Sequence, residues 1–431
     1  MPLNPQAVEL NEAIESANPH ILHMLSQRGK EIYFPRKGIL AQTAKAKNTG
    51  INATIGISLE DDGAPMVLDS IDTMLQIQKE SYSYAPSYGN PGIRSMWKAM
   101  QHEKNPSMGD LNTSLPVVTS ALTHGLSMAG YLFVNEGDTI ILPDLYWENY
   151  DLVFKQAYGA TLSTFPTFTK DGKFNTSGLK QQLSSEKTGK KIVILNFPNN
   201  PSGYTVSNDE AREITSILTT AADAGNDLIV LLDDAYFGLV YEEGIISESM
   251  FVYLANAHER ILAVKFDGPT KEDYVWGFRV GFVTFGTSLN SPVLYSALES
   301  KLGGAIRGNI SNASNLAQNL LLKAYQSHAY EKEKKEKFDV LKRRYLKIKQ
   351  ILSDHPEYRE YIVPLPFNSG YFMCVKVQSG NADHLRTILL DKYDTGVIAQ
   401  GDLLRVAFSS TPYQLLDTLF DNIYKAAGET V

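Results

Sequence analysis

The chain has 431 residues, of which 43% are apolar and 20% charged, with a formal net charge of -8 and a single cysteine. That length accommodates two domains with separate cores. The acidic balance disfavours a nucleic-acid surface, and no segment approaches the roughly twenty apolar residues of a membrane span. Cys374, in the apolar run Tyr371-Phe-Met-Cys-Val375, excludes an internal disulfide and a thiolate zinc cluster and reads as buried filler. No metal site is expected. The N-terminus, Met1-Pro-Leu-Asn-Pro-Gln6, has neither the basic start nor the apolar core of a secretion signal, so a cytoplasmic location is expected.

In chain order, a helix is expected over Val8–Ile14. Short β-rich runs then alternate with helical patterns. The candidate strands are Val117–Thr119, Thr139–Leu142, Thr161–Thr164, Ile192–Leu195, Leu228–Leu232, Ile261–Val264 and Val280–Thr284. Several are continuous apolar runs, as strands buried on both faces tend to be, and the alternation predicts an α/β sheet. From Ser291 to Ile351 the pattern is helical, too long for one connection within the sheet. It leads into a second domain holding strands Tyr371–Val377 and Leu403–Phe408. The expected division is 1–50 as an N-terminal segment packed on the small domain, 51–325 as the large domain and 326–431 as the small one. The runs Glu331–Lys337 and Lys342–Arg344 mix both signs of charge and read as a solvated helix face.

Ligands of open α/β sheets sit outside the carboxyl ends of the strands. Here those ends carry chemistry. After Leu195 comes Asn196-Phe-Pro-Asn-Asn-Pro-Ser-Gly203, a proline-fixed turn presenting the Asn200 amide. After Leu232 comes Asp233-Asp-Ala-Tyr236, a carboxylate followed by a phenol. After Val264 comes Asp267-Gly-Pro-Thr-Lys271, with Arg279 eight positions beyond the lysine. A carboxylate, a phenol, an amide, a lysine and an arginine on successive strand ends suit pyridoxal phosphate. The ring nitrogen of that cofactor stays protonated only beside a carboxylate, its aldehyde bonds a lysine, and its phosphate needs an anion site. Thr119–Gly130, where a strand gives way to a helix, offers free backbone amides for the phosphate. Pro143–Tyr150 offers Trp147 or Tyr146 to stack on the ring. Neither a GxGxxG fingerprint nor a GxxxxGK[ST] loop competes.

From about Ile51 to Phe408 the chain resembles the fold-type I pyridoxal-phosphate enzymes of the class I and II aminotransferase family. The motifs that carry the resemblance run in the family's order: Tyr84-Ala-Pro-Ser-Tyr-Gly89, Ser120–Gly125, Pro143–Tyr150, Asn199-Asn-Pro-Ser-Gly203, Asp233-Asp-Ala-Tyr236, Lys271–Gly281 and Leu404-Arg-Val406. The resemblance implies a large domain with a mostly parallel seven-stranded sheet between helices, plus a smaller α+β domain. It makes Lys271 the Schiff-base lysine and proton shuttle, and Asp233 the partner of the pyridine nitrogen. Tyr236 and Asn200 would face the ring oxygen and Trp147 would stack on the ring. Arg279, Thr270 and the amides around Leu122 and Thr123 would hold phosphate, with Tyr84 reaching in from the second subunit of a homodimer. Arg405 would bind the substrate α-carboxylate, and Gly56 and Asn368 would line the same site. One departure is Gly268, where the family often has a serine. Another is Asp234, a second carboxylate beside Asp233. Lys265 is a rival lysine at the wrong distance from Arg279.

For the substrate, Ala305-Ile-Arg-Gly-Asn-Ile-Ser-Asn312 resembles a stretch of aspartate and aromatic aminotransferases in which the arginine crosses the dimer interface to a distal carboxylate. Arg307 therefore favours aspartate, glutamate and their 2-oxo acids, with aromatic amino acids as further substrates. The expected reaction is ping-pong transamination between an L-amino acid and a 2-oxo acid. β-Elimination and aspartate decarboxylation are alternatives on the same fold. A non-enzymatic regulatory module is a remote one, for which the segment before Ile51 leaves little room.

Overall fold

A computed structural model describes residues 3–17, 25, 30–31, 39–72, 79–185 and 187–430. The remainder of the expected N-terminal segment lies outside the described residues. Strand β1 (Ile51–Asn52) precedes the central sheet, which contains β2 (Val117–Thr119), β3 (Thr139–Pro143), β4 (Thr161–Phe165), β5 (Lys190–Asn196), β6 (Asp227–Asp233), β7 (Ile261–Asp267) and β8 (Gly281–Gly286). Their order is β2-β8-β7-β6-β5-β3-β4, and β8 runs antiparallel to both of its neighbours while the other pairings are parallel. The expected mostly parallel seven-stranded sheet is present.

The apolar runs behave as strands because period-two alternation feeds two cores at once. Ile192 and Ile194 of β5 enter one core while Val193 and Leu195 enter the other, and Leu231 of β6 opposes Val230 and Leu232 in the same way. Helices supply the two covering layers. In chain order they include α1 (Pro5–Ala17), α2 (Ile39–Lys45), α3 (Pro91–Lys104), α4 (Ala121–Phe133), α5 (Thr176–Ser185) and α6 (Asn208–Asp223). Trp97 of α3 stacks on Phe282 of β8 at 4.4 Å on one face, whereas Leu179, Ile214 and Leu218 of α5 and α6 pack on the other. Helix α6 starts on a capping box, in which Ser207 accepts from the Glu210 amide and Glu210 accepts from that of Ser207.

The helical stretch after β8 resolves into α7 (Pro292–Asn309), α8 (Asn315–Tyr325) and α9 (Tyr330–Asp354). Beyond it, β12 (Ile398–Gln400), β13 (Leu403–Ala407), β10 (Phe372–Val377) and β9 (Ile362–Pro364) form an antiparallel sheet in that order. Strand β1 pairs in parallel with β11 (Thr395–Gly396), and backbone bonds such as Ala407 N to Ala53 O (2.8 Å) tie residues 51–59 to this C-terminal region. Gln42 of α2 exchanges two hydrogen bonds with the Ala399 backbone. These ties place Thr43, Thr54, Ile55 and Gly56 on the same cavity as Arg405 of β13.

The charged face of α9 departs from the sequence expectation. Lys332 and Lys335 are solvated at 81% and 72% exposure, but Arg344 is wholly buried and bonds Ser409 O, Leu59 O and Asp61. Lys334 is largely buried against Glu272 and Asp273. Long-range carboxylates, invisible to local charge counting, take these cations out of solvent.

Candidate active site

Residues converge on a cavity of about 340 Å³ at the carboxyl ends of β2, β5, β6 and β7. Because β8 is antiparallel, its amino end faces the same side, which puts Arg279, two residues before it, on the cavity beside Lys271. The close approach needs glycine. A Cβ on Gly281 would fall 2.7 Å from Ala121 C, so its absence lets the start of β8 seat against the first turn of α4. Gly268 is also confined, though less tightly, because a Cβ there would meet Gly281 Cα and Val280 O at 3.0 Å. Backbone contact takes the space that a side chain at this position would need.

The first turn of α4 presents Ala121, Leu122 and Thr123 to the cavity. Ala121 has φ 62° and Arg279 has φ 55°, left-handed values that non-glycine residues rarely adopt, both at this one site. Trp147 lines the wall after β3, whereas Tyr146 is directed to Asp151 at 3.1 Å. The loop after β5 contains cis peptide bonds before Pro198 and Pro201. Asn196 donates to Asp233 O at 2.7 Å and accepts from the Asn200 amide at 2.8 Å, linking two strand ends.

The two adjacent carboxylates separate cleanly. Asp233 lines the cavity and accepts a 2.5 Å hydrogen bond from the buried Tyr150 hydroxyl. Asp234 points the other way, to Ser249 (2.6 Å) and to Lys265 in a short contact; Lys265 also meets Asp267 at 3.0 Å. The rival lysine is thus consumed in a buried ion cluster. Lys271 is instead on the cavity, 5.0 Å over the Tyr236 ring, and burial, with Arg279 adding to it against Asp233, lowers its amine from 10.5 to about 8. Burial raises Asp233, opposed by the Tyr150 hydrogen bond and by Lys271.

Arg405 is 3% exposed, lies 4.3 Å over the Phe372 ring and bonds Asn200 Oδ1 (3.1 Å) and Thr54 O (3.3 Å), with its Nε unpartnered among the described residues. Burial lowers its pKa, and no ion pair neutralises it among the described residues. A buried guanidinium without a counter-ion is costly unless an anion completes it. Around the cavity stand three cations, Lys271, Arg279 and Arg405, against one carboxylate, Asp233. Among the described residues, Thr270 Oγ1 is buried without a hydrogen-bond partner. This surplus of positive charge, an orphaned hydroxyl and a helix N-terminus fit a phosphorylated cofactor together with a carboxylate ligand.

Of the residues expected at the site, Gly56, Leu122, Thr123, Trp147, Asn200, Asp233, Tyr236, Thr270, Lys271, Arg279 and Arg405 line this one cavity. Three lie elsewhere. Tyr84 is 91% exposed, and Arg307 at the end of α7 is exposed and bonded to Ser311 (2.8 Å). Asn368 is buried with both ends of its amide spent on the Thr205 backbone at 2.8 Å, so it braces the loop from behind. Thr43, Thr54, Ile55 and Phe372 also line the cavity and escaped the sequence reading, as did Tyr150 behind it. Tyr150 closes the Pro143–Tyr150 motif, which was its only signal. Thr43 carried none.

The family described as aminotransferase class I and II matches residues 61–423. An aspartate aminotransferase from Bacillus sp. (strain YM-2) is 25% identical over 247 residues, 56% of this chain and 59% of that protein. A probable N-acetyl-LL-diaminopimelate aminotransferase from Bacillus subtilis (strain 168) is 24% identical over 248 residues, 58% of this chain and 56% of the relative. The chain thus spans less than two thirds of these curated relatives. In structure, an aminotransferase from Anaerococcus prevotii shares a TM-score of 0.82 at 23% identity, covering 93% of this chain and 98% of that one. A Pyrococcus horikoshii kynurenine aminotransferase in complex with PMP shares 0.77 at 15% identity, covering 95% and 98%. At such identities the structural likeness shows the fold. With the family model matched over most of its length, the chain belongs to the aminotransferase class I and II family, whose cofactor is pyridoxal phosphate.

Proposed function

We propose that this protein is a pyridoxal-phosphate aminotransferase that moves an amino group from an L-amino acid to a 2-oxo acid by a ping-pong route, with aspartate and glutamate as favoured donors. The observation that carries the reading is the shared cavity of Lys271, Asp233 and the buried Arg405, which has no ion pair among the described residues. When bound, the cofactor supplies an aldehyde that links reversibly to amines and a pyridinium ring that draws electrons from the substrate Cα.

The residues divide the work. Arg279, Thr270 and the amides of Leu122 and Thr123 would hold the phosphate, and Trp147 would stack on the ring. Asp233, kept in place by Tyr150, would hold the proton on the ring nitrogen, while Tyr236 and Asn200 would face the ring oxygen. Arg405 takes the α-carboxylate through a two-pronged contact and so fixes the direction of the Cα–H bond. Lys271, with its amine brought down to about 8, is suited to take the Cα proton near neutral pH.

The working unit we propose is a cytoplasmic homodimer in which Tyr84 of one protomer reaches the partner's phosphate site and Arg307 reaches the partner's distal carboxylate pocket. The exposure of both residues in the single chain supports this reading. Among the described residues, no helix is long and apolar enough to cross a membrane. The reaction is tested by incubating the holoenzyme with aspartate and 2-oxoglutarate and scoring oxaloacetate, alanine and ammonia separately. Oxaloacetate with matching glutamate is expected. Alanine as the main product would indicate decarboxylation instead, and ammonia elimination.

A further inference from the structure

The two residues that follow Lys271 are both buried acids. Glu272 is 3% exposed and Asp273 is wholly buried. Three helices converge on them. Lys104, the last residue of α3, bonds Glu272 Oε1 at 3.0 Å, and Tyr325, the last residue of α8, donates to Asp273 Oδ2 at 2.8 Å. From the first turns of α9, Tyr330 donates to Asp273 Oδ1 at 2.7 Å, and Lys334 meets both acids, at 2.7 Å to Glu272 and 3.1 Å to Asp273. On the other side of the same turn, Tyr371, just before β10, donates to the Lys271 carbonyl at 2.8 Å.

We infer that Lys334 is a positioning residue for Lys271, coupling the helix that leads to the C-terminal sheet with the turn that carries the reactive amine. Two arguments carry it, one of geometry and one of charge. The turn Pro269–Glu272 is a single helical turn without a side-chain cap, so little within it fixes the direction of the Lys271 side chain. Its orientation is set from outside, by Tyr371 on the carbonyl and by the Lys334 ammonium that clamps the next two side chains. The cluster is also balanced, with Lys104 and Lys334 against Glu272 and Asp273. Burial pushes Glu272 up, but the two lysines hold it well below its ordinary value; burial pulls Lys334 down, but the two acids hold it above its own. Loss of the Lys334 charge leaves a buried surplus of negative charge one residue from Lys271. The groups that face the Lys271 amine itself are Asp233, Arg279 and the Tyr236 ring. An added negative field favours the protonated nitrogen.

The inference rests on the assignment of Lys271 as the residue that holds the cofactor, and one titration separates the two claims. The pH midpoint of the bound cofactor's absorbance is read in the holoenzyme together with kcat and KM. Lys334→Met is expected to raise the midpoint by about half to one pH unit and to lower kcat severalfold with KM for the amino donor little changed. Lys334→Arg and the charge-balanced Lys334→Met/Glu272→Gln double variant are expected to return the midpoint towards the parent value. Should Lys334→Met not yield folded holoenzyme, Lys104→Met withdraws the same charge from Glu272 through another helix and is expected to give the same upward shift. A folded Lys334→Met or Lys104→Met holoenzyme with the parent midpoint overturns the inference, as does a shift that Lys334→Arg does not reverse. Failure of the underlying assignment looks different, because the pH-dependent band would then persist in Lys271→Ala.

Discussion

The Tyr150 hydroxyl donates to Asp233 Oδ2 at 2.5 Å, fully buried, directly behind the wall that carries Trp147. The bond stabilises a carboxylate that burial alone would push towards protonation. Tyr150→Phe keeps the ring and removes the bond. Cofactor binding should survive, while kcat falls about tenfold, equivalent to about 1.4 kcal/mol of transition-state stabilisation. Steady-state rates alongside the absorbance of bound cofactor check this, and an unchanged kcat would remove Tyr150 from the account.

Arg405 offers a buried fork already braced by Asn200 and Thr54. Arg405→Lys keeps the positive charge and loses the two-pronged geometry. With charge-assisted hydrogen bonds contributing about 1.5–3 kcal/mol each, kcat/KM should fall on the order of a hundredfold for every amino donor. Cofactor absorbance without substrate should stay as in the parent.

Lys271 titrates at about 8 rather than 10.5 in the folded chain. The rate at which cofactor-free protein captures pyridoxal phosphate should therefore rise with pH through a midpoint near that value. The same shift has a stability consequence of definite sign. Between about 8 and 10.5 the unfolded chain binds more protons at this site, so stability rises with pH across that window, and below it the full cost of burying the amine remains. In cofactor-free protein, Lys271→Met should raise the melting temperature more at pH 7 than at pH 10.

Arg307 carries the proposed preference for dicarboxylates. Arg307→Gln should lower kcat/KM for aspartate and glutamate by tenfold or more, about 1.4 kcal/mol or above, and leave aromatic donors within a factor of about two. Equal losses for both classes would assign the arginine to dimer packing instead.

Much of this site was legible in the chain because strand ends announce themselves. Continuous apolar runs stop at Leu195, Leu232 and Val264, and within a few residues of these ends come Asn196, Asn200, Asp233, Thr270 and Lys271, which line the cavity. Contacts made across the chain were not legible. Asn368 precedes Ser369-Gly370 as expected of a site residue, yet its amide bonds Thr205, 163 positions away. Lys334 reads as one cation among many in a mixed run, and only the fold brings Glu272 to it, 62 positions away. The choice between Asp233 and Asp234 rested on a three-residue step to Tyr236, whereas the structure separates them through the period-two alternation of a strand, which turns neighbouring side chains to opposite faces.

The most direct measurement is a single turnover of the purified holoenzyme, mixed rapidly with excess glutamate while the cofactor absorbance is followed. The parent protein should convert its absorbance in one exponential phase and recover it on addition of a 2-oxo acid. Lys271→Ala should bind both cofactor and glutamate yet show no conversion on that timescale. A Lys271→Ala protein that converts at the parent rate would contradict the account.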